Sequence, residues 1–287
     1  MSPGHQHNRL VAIFLMIGGV IAFTLVDTFA KTLTDRHAPV VVMFMQYGLS
    51  CLMMLPVAFS QGKAGFTIRA PRLLLLRALI GVVVSFLIVT SLSLLPFTVA
   101  ASLLQLETFF FIPLAIFILK ERADWRRWLA VGLGLCGAFL ILRPGTEAFQ
   151  LAGLVAIGGA VALALKNVVL KQVAMSEATV PALFWMYALM AAIAAVPAAW
   201  MWQGMSLEDF GLFLVSAALV NVSNYCMLRA FSMADAVELT PALHTALPMA
   251  VLIGLVVFGE WPAPLVWAGI ALIFLATFMP SAPHRKA

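Results

Sequence analysis

Charge is scarce in this chain. Asp, Glu, Lys and Arg make up 10% of its 287 residues, against roughly a quarter in ordinary globular domains. A soluble protein of this length needs a polar shell, and a sequence that is 63% hydrophobic cannot supply one. Cysteine is equally sparse. Cys51, Cys136 and Cys226 fall inside apolar stretches at unrelated spacings, which argues against a disulfide framework or a cysteine metal site. Neither a Walker-type GxxxxGK[ST] nor an HExxH helix occurs, so no nucleotide-driven engine or zinc-protease motif is present. Polar segments between the apolar ones are short, leaving no room for an extramembrane active site. The formal net charge of +5 does not point to nucleic acid, because the basic residues sit in short runs between apolar segments. That is the pattern of loops held at a membrane surface.

Long apolar runs take up most of the sequence. Ten stretches approach the roughly 20 residues that cross a bilayer as a helix. They lie near Leu10–Ala30, Pro39–Phe59, Arg72–Leu95, Phe97–Leu119, Trp125–Leu142, Leu151–Ala174, Pro181–Trp202, Phe210–Phe231, Ala236–Phe258 and Pro264–Met279. Lipid cannot hydrogen-bond an open backbone, so spanning segments are helices or closed barrels. Barrel strands alternate apolar and polar residues, and these segments do not. The first segment has a signal-peptide look, but it is too long and lacks a small-residue cleavage site, so it reads as a helix.

The ten spans form one five-span unit written twice. Gly18-Gly19-Val20-Ile21-Ala22, Asp27 and Lys31 recur 140 residues later as Gly158-Gly159-Ala160-Val161-Ala162, Asn167 and Lys171. Phe44-Met45-Gln46-Tyr47 aligns with Phe184-Trp185-Met186-Tyr187. At an offset of 139, Lys120-Glu121-Arg122 and Trp128 align with Gly259-Glu260-Trp261 and Trp267. An odd number of spans per copy makes the second enter the membrane from the opposite face, the inverted-repeat plan of secondary transporters. The expected units are 1–146 and 147–287. The expected fold class is an all-α polytopic membrane protein, ten transmembrane helices as two inverted five-helix repeats around a central cavity.

Basic residues set the expected orientation. With a cytoplasmic N-terminus, the inner loops hold Lys63, Arg69, Arg72 and Arg77, then Lys120, Arg122, Arg126 and Arg127. Lys171, Arg229, Arg285 and Lys286 also fall inside, whereas the outer loops keep only Lys31, Arg36 and Arg143. The outer loop around Glu208 and Asp209 has no basic residue. Both termini are therefore expected in the cytoplasm, in a bacterial-type inner membrane. Gly132-Leu133-Gly134-Leu135-Cys136-Gly137 satisfies GxGxxG, but it lies mid-span with no preceding strand. Small residues that let two helices approach closely explain it better than a dinucleotide loop.

Ionisable groups inside spans are costly and mark function by default. Glu107 lies halfway along the fourth span between Gln105 and Thr108, and Lys166 and Asn167 lie in the sixth. His244 in the ninth is the repeat-equivalent of Gln105; Asn224-Tyr225 in the eighth is that of Ser85-Phe86. Asp27 is the only aspartate well inside a span. The plainer reading has Ser85, Asn221 and Thr245 bonding neighbouring helices, and Glu107 with Lys166 as a structural pair. Lys31 and Lys171, near span ends, read as snorkelling anchors, and Arg229 as a partner of Asp235 or Glu238. Pro113 and Pro248 read as interruptions of the fourth and ninth spans, since proline frees a carbonyl and kinks a helix.

With these features the chain resembles the drug/metabolite transporter superfamily, EamA type, over nearly its whole length. The resemblance rests on the doubled five-span unit and on Leu95-Pro96-Phe97-Thr98-Val99-Ala100-Ala101, followed by Lys120-Glu121-Arg122, Gly132-Leu133-Gly134 and Leu142-Arg143-Pro144-Gly145. The second copy echoes it from Ala236 to Pro241 and in Pro248 and Gly259-Glu260. It departs from the family pattern at Phe109, where members usually carry proline, found here at Pro113. The resemblance implies ten helices, cytoplasmic termini and movement of small metabolites, often outward. The nearest likeness is to amino-acid exporters, including YddG-like aromatic amino-acid exporters.

A zwitterion needs an acceptor for its ammonium and donors for its carboxylate, since desolvating either alone costs several kcal/mol. Glu107 suits the first role, and Lys166, His244 or Asn224 the second. Tyr47, Tyr187 and Tyr225 would form aromatic walls, with Ser85 and Gln105 as further polar contacts and Pro113 and Pro248 as hinges. The resulting expectation is a monomeric exporter of amino acids and related metabolites, embedded in lipid, with no cofactor, metal, catalytic residue or nucleic acid. A multidrug, organic-cation or vitamin carrier of the same fold is the alternative. An intramembrane enzyme, with His244 beside Ser85 or Ser102, or a scaffold, is the alternative of another class.

Overall fold

The computed structural model describes residues 3–119, 125–142, 147–234, 239, 242–243 and 245–277. Among them there is no strand. The helices are α1 (Pro3–Thr34), α2 (Pro39–Ser60), α3 (Pro71–Leu94), α4 (Phe97–Leu104), α5 (Glu107–Leu119), α6 (Trp125–Leu142), α7 (Glu147–Ser176), α8 (Thr179–Trp200), α9 (Leu207–Met233), α10 (Ala246–Val256) and α11 (Pro264–Thr277). Six of them contain segments long and apolar enough to cross a membrane, and shorter apolar helices cover the other four spans. The protein is an all-helical polytopic membrane protein. Many large apolar side chains point outward, among them Phe14, Phe139, Leu151 and Leu275, because lipid rather than water surrounds the bundle. Trp125, Trp128, Trp200 and Trp261 are exposed at or near helix ends, where indole rings favour the headgroup region.

Helix pairing follows the repeat. α1 packs along α9 and α3 along α7; α2 packs along α8 and α6 along α11. Exchanging the two copies turns the first pair into the second and each of the others into itself, as a pseudo-two-fold axis requires. The repeated Gly-Gly pair seats two of these contacts. A Cβ on Gly19 would meet Met227 and Ser223 of α9 within 3.1 Å, and one on Gly159 would lie 3.0 Å from Leu104 and 3.5 Å from Leu87. In the GxGxxG stretch, Gly137 lies against Gly269 of α11, where a Cβ would come 2.8 Å from the Gly269 carbonyl oxygen. Close helix approach is the role of that motif.

The helix starts are capped across the repeats. Glu260, from the α10–α11 loop, accepts from the backbone N–H groups of Phe97 and of Thr98, the latter at 2.8 Å, at the start of α4. Glu177, after α7, accepts from the N–H groups of Arg69 (2.9 Å) and Ala70 just before α3. At the start of α9, Asp209 donates its N–H to Ser206 Oγ and accepts from Arg36 Nη1 at 2.8 Å and His37 Nε2 at 3.2 Å. His37 and Glu177 are repeat-equivalent, so each linker tethers a helix start in the other half. A carboxylate at a helix N-terminus satisfies free N–H groups and complements the helix dipole.

Two expectations need correction. The fourth span breaks at Gln105–Leu106, not at Pro113, and α5 runs on through Pro113. The chain tightens there: Leu106 N–H reaches Leu103 O, and the Gln105 carbonyl accepts from both the N–H and the hydroxyl of Thr108. In the ninth span α10 begins after Thr245, whose N–H and hydroxyl both reach Ala242 O. Pro248 lies in the first turn of α10, where backbone N–H groups have no helical partner and proline is tolerated. Lys31 is no interfacial anchor. Its Nζ donates to Leu92 O (2.6 Å) and Leu95 O (2.9 Å), capping the carbonyl end of α3. His244, Lys120–Arg122, Asp235 and Glu238 lie outside the described residues.

Candidate functional site

Both interrupted helices border one cavity. Counted with the solvent space open to it, it has an empty volume of about 650 Å³, and it is lined from α1, α3, α4, α5, α7, α9 and α10. Gln105, at the carboxyl end of α4, and Glu107, the first residue of α5, line it beside Ala246 and Ala250 of α10. Asp27 of α1 and Lys166 and Asn167 of α7 complete its polar wall; Val20, Phe23, Ile88, Leu104 and Leu163 complete its apolar one. Asn167 Nδ2 donates to Glu107 Oε2 at 3.2 Å, while Asn167 Oδ1 is buried without a partner. Lys166 Nζ lies 5.3 Å from the centre of the Phe23 ring, a cation–π contact.

A second cavity of about 530 Å³ adjoins the first and shares Phe23, Asp27, Ile88 and Lys166 with it. Its polar lining comes from Gln46 and Tyr47 of α2, Arg77 and Ser85 of α3, and Asn224 of α9. Tyr47 and Ser85 share a short hydroxyl–hydroxyl hydrogen bond. Gln46 donates to Ser216 Oγ at 2.8 Å, and Asn224 to Val220 O at 3.0 Å. Tyr187 is fully buried behind this wall, stacked on Tyr47 with centroids 6.0 Å apart and donating to Val220 O.

Of the residues expected at the site, Gln105, Glu107 and Lys166 line the first cavity, and Tyr47, Ser85, Asn224 and again Lys166 line the second. Tyr225 stands apart. It is 43% exposed on the outer face of α9, one step round the helix from Asn224. Asn221 bonds the Ser50 carbonyl of α2 and serves helix packing. Two ionisable lining residues were absent from the expected site. Asp27 was legible as an isolated intramembrane aspartate. Arg77 was counted with the inner-loop cations, yet it is buried at 3% exposure and faces the second cavity. Its sequence signal was its position several residues into an apolar run. Ser102, considered as a nucleophile, has its hydroxyl hydrogen-bonded to Thr98 O at 2.6 Å.

Comparison with known proteins places this architecture. The profile of the EamA-like transporter family fits residues 10–143 and, a second time, residues 150–281. The chain belongs to the EamA-like transporter family. It is 27% identical to the S-adenosylmethionine uptake transporter of Rickettsia bellii over 266 residues, 91% of this chain and 90% of that one. It is 29% identical to the riboflavin transporter of Rhizobium johnstonii over 277 residues, 93% and 89% of the two chains. The riboflavin transporter of Vibrio cholerae is 25% identical over 276 residues, 94% and 93% of the two. A solved crystal structure with 15% identity superposes at a TM-score of 0.65 over 96% of each chain, a likeness of fold alone. This EamA-family chain is thus a membrane transporter rather than an enzyme.

Proposed function

We propose that this EamA-family protein carries a small heteroaromatic metabolite of the riboflavin or S-adenosylmethionine kind by alternating access around the central cavity. The observation that carries this reading is the charged wall common to both halves. Asp27, Glu107 and Arg77 come from the first copy and Lys166 from the second, and all line two adjoining cavities. Ionisable groups at that depth mark substrate paths, and transporters of this plan bind where their repeats meet, beside discontinuous helices. Gln105, Glu107, Lys166, Tyr47, Ser85 and Asn224 are the proposed contacts, with Asp27 and Arg77 added; Tyr187 would support Tyr47 from behind. The turns at Gln105–Leu106 and Thr245 are the proposed flexing points.

Export of amino acids, expected from the sequence, draws no support from the relatives, whose names report a vitamin and a nucleoside conjugate. The vitamin-carrier alternative is the better reading. Uptake is the proposed direction, after the Rickettsia relatives, in a bacterial-type inner membrane with both termini cytoplasmic. The test is competition in proteoliposomes holding the purified full chain. Riboflavin and S-adenosylmethionine are each offered labelled, with unlabelled neutral amino acids as competitors. Saturable uptake of either compound, unaffected by the amino acids, is the expected result. Uptake of amino acids alone would overturn it.

A further inference from the structure

Resting on that reading, we propose that Arg77 forms a carboxylate subsite in the second cavity. Its substrate class is a zwitterionic metabolite that presents a carboxylate there and a cationic centre to Asp27 and Glu107. Arg77 is 97% buried by its 3% exposure, and its Nε carries no hydrogen bond. Among the described residues no carboxylate reaches it within ion-pair distance. The uncharged polar groups of this wall are engaged by the protein: Tyr47 with Ser85, Gln46 with Ser216, and Asn224 with Val220. A guanidinium held inside a membrane without a protein counter-ion is costly, and a structural role would have supplied the partner. Its forked donors match a carboxylate bidentately, with a directionality that a lysine ammonium lacks.

The local packing preserves the space for it. Gly81 lies one helical turn beyond Arg77, and a Cβ there would come 3.1 Å from Arg77 Nη1 and 2.9 Å from Met190 Sδ. Glycine lets the guanidinium fold back along α3. Because the two cavities share Asp27, Lys166 and Phe23, one elongated ligand reaches both. Its carboxylate meets Arg77, its cation meets Asp27 and Glu107, and its planar body lies along Phe23 and Tyr47. S-adenosylmethionine, with a carboxylate, an ammonium and a sulfonium, fits this charge layout; riboflavin has no carboxylate to offer.

The experiment measures ligand-induced thermal stabilisation and uptake for wild type, Arg77→Gln and Arg77→Lys, each recovered as a monodisperse peak. The probes are three acids with their decarboxylated partners: S-adenosylmethionine, methionine and phenylalanine. At least one acid is expected to bind wild type tenfold or more tightly than its decarboxylated partner. That ratio should collapse in Arg77→Gln and return partly in Arg77→Lys, since charge-assisted contacts to a desolvated ligand are worth about that much. A ratio near one in wild type, or one unchanged in Arg77→Gln, overturns the subsite. S-adenosylmethionine uptake with unchanged KM in Arg77→Gln leaves the transport reading standing and removes the subsite. Amino-acid binding through Arg77 with neither compound carried does the reverse. If Arg77→Gln fails to fold, Gly81→Ala replaces it, and a raised KM for the acid alone is the expected outcome; equal change for both partners overturns the proposal.

Discussion

Glu260 holds the two halves together at the start of a broken helix, and its removal has a calculable cost. Its carboxylate accepts from the Phe97 and Thr98 N–H groups. The N-cap residue of α4, Pro96, makes no side-chain cap of its own, so Glu260 is the cap that this eight-residue helix has. A hydrogen bond to a charged group contributes about 1.5–3 kcal/mol, and the two share one carboxylate, so their sum is less than additive. Glu260→Ala is expected to cost about 3 kcal/mol. Glu260→Gln keeps one acceptor oxygen and loses the charge, for about half that cost. In thermal unfolding of the detergent-purified chain, Glu260→Ala should fall by roughly 6–10 °C, with Glu260→Gln between it and wild type. Glu208→Ala is the control, because that side chain is 73% exposed in its contact with Arg36. A Glu260→Ala midpoint within about 1 °C of wild type, or a Glu208→Ala drop as large as that of Glu260→Ala, would refute the capping role.

Further outcomes follow from the same contacts. Gly254→Ala puts a Cβ 1.9 Å from Thr98 Oγ1, so a loss of about 1–3 kcal/mol is expected. Adding Thr98→Ala should restore part of it, because that hydroxyl has no hydrogen-bond partner to lose; an unrescued double variant contradicts the clash. Lys31→Ala deprives the end of α3 of two hydrogen bonds and should lower the unfolding midpoint by the equivalent of about 2 kcal/mol. A neutral effect there would return Lys31 to the role of an interfacial anchor. For orientation, single cysteines at the exposed positions Lys63 and Gln203 in a Cys-free chain should differ towards an impermeant thiol reagent in intact cells. Protection at 63 and labelling at 203 fit cytoplasmic termini; the opposite pattern inverts the topology.

Much of the scaffold is written plainly in the sequence. Apolar runs of about 20 residues have few alternatives in lipid, and the doubled Gly-Gly pair lies where α1 meets α9 and where α7 meets α3. Glu260 was visible as a repeated feature, but its task depends on a loop of one copy reaching a helix of the other. The helix breaks were misread because proline is the conspicuous local signal, whereas Gln105 and Thr245 have no strong preference against helix. Arg77 escaped because it follows Arg69 and Arg72 closely; only the packing of α2 and α8 against α3 reveals that it is enclosed. Tyr225 was excludable from periodicity. Ser223 and Met227 are buried while Val222 and Tyr225 are exposed, so the face of α9 that carries Asn224 turns Tyr225 outward.

The central claim is that one cavity, built from both copies, handles the substrate, and uptake by paired variants tests it most directly. Asp27→Asn alters the first copy and Lys166→Gln the second, at two residues that line both cavities. Initial rates of riboflavin and S-adenosylmethionine uptake are measured in proteoliposomes and normalised to folded protein. Whichever compound wild type carries, each variant is expected to lower its kcat/KM by roughly tenfold or more. Wild-type rates in both variants would contradict it and move the transport path away from this cavity.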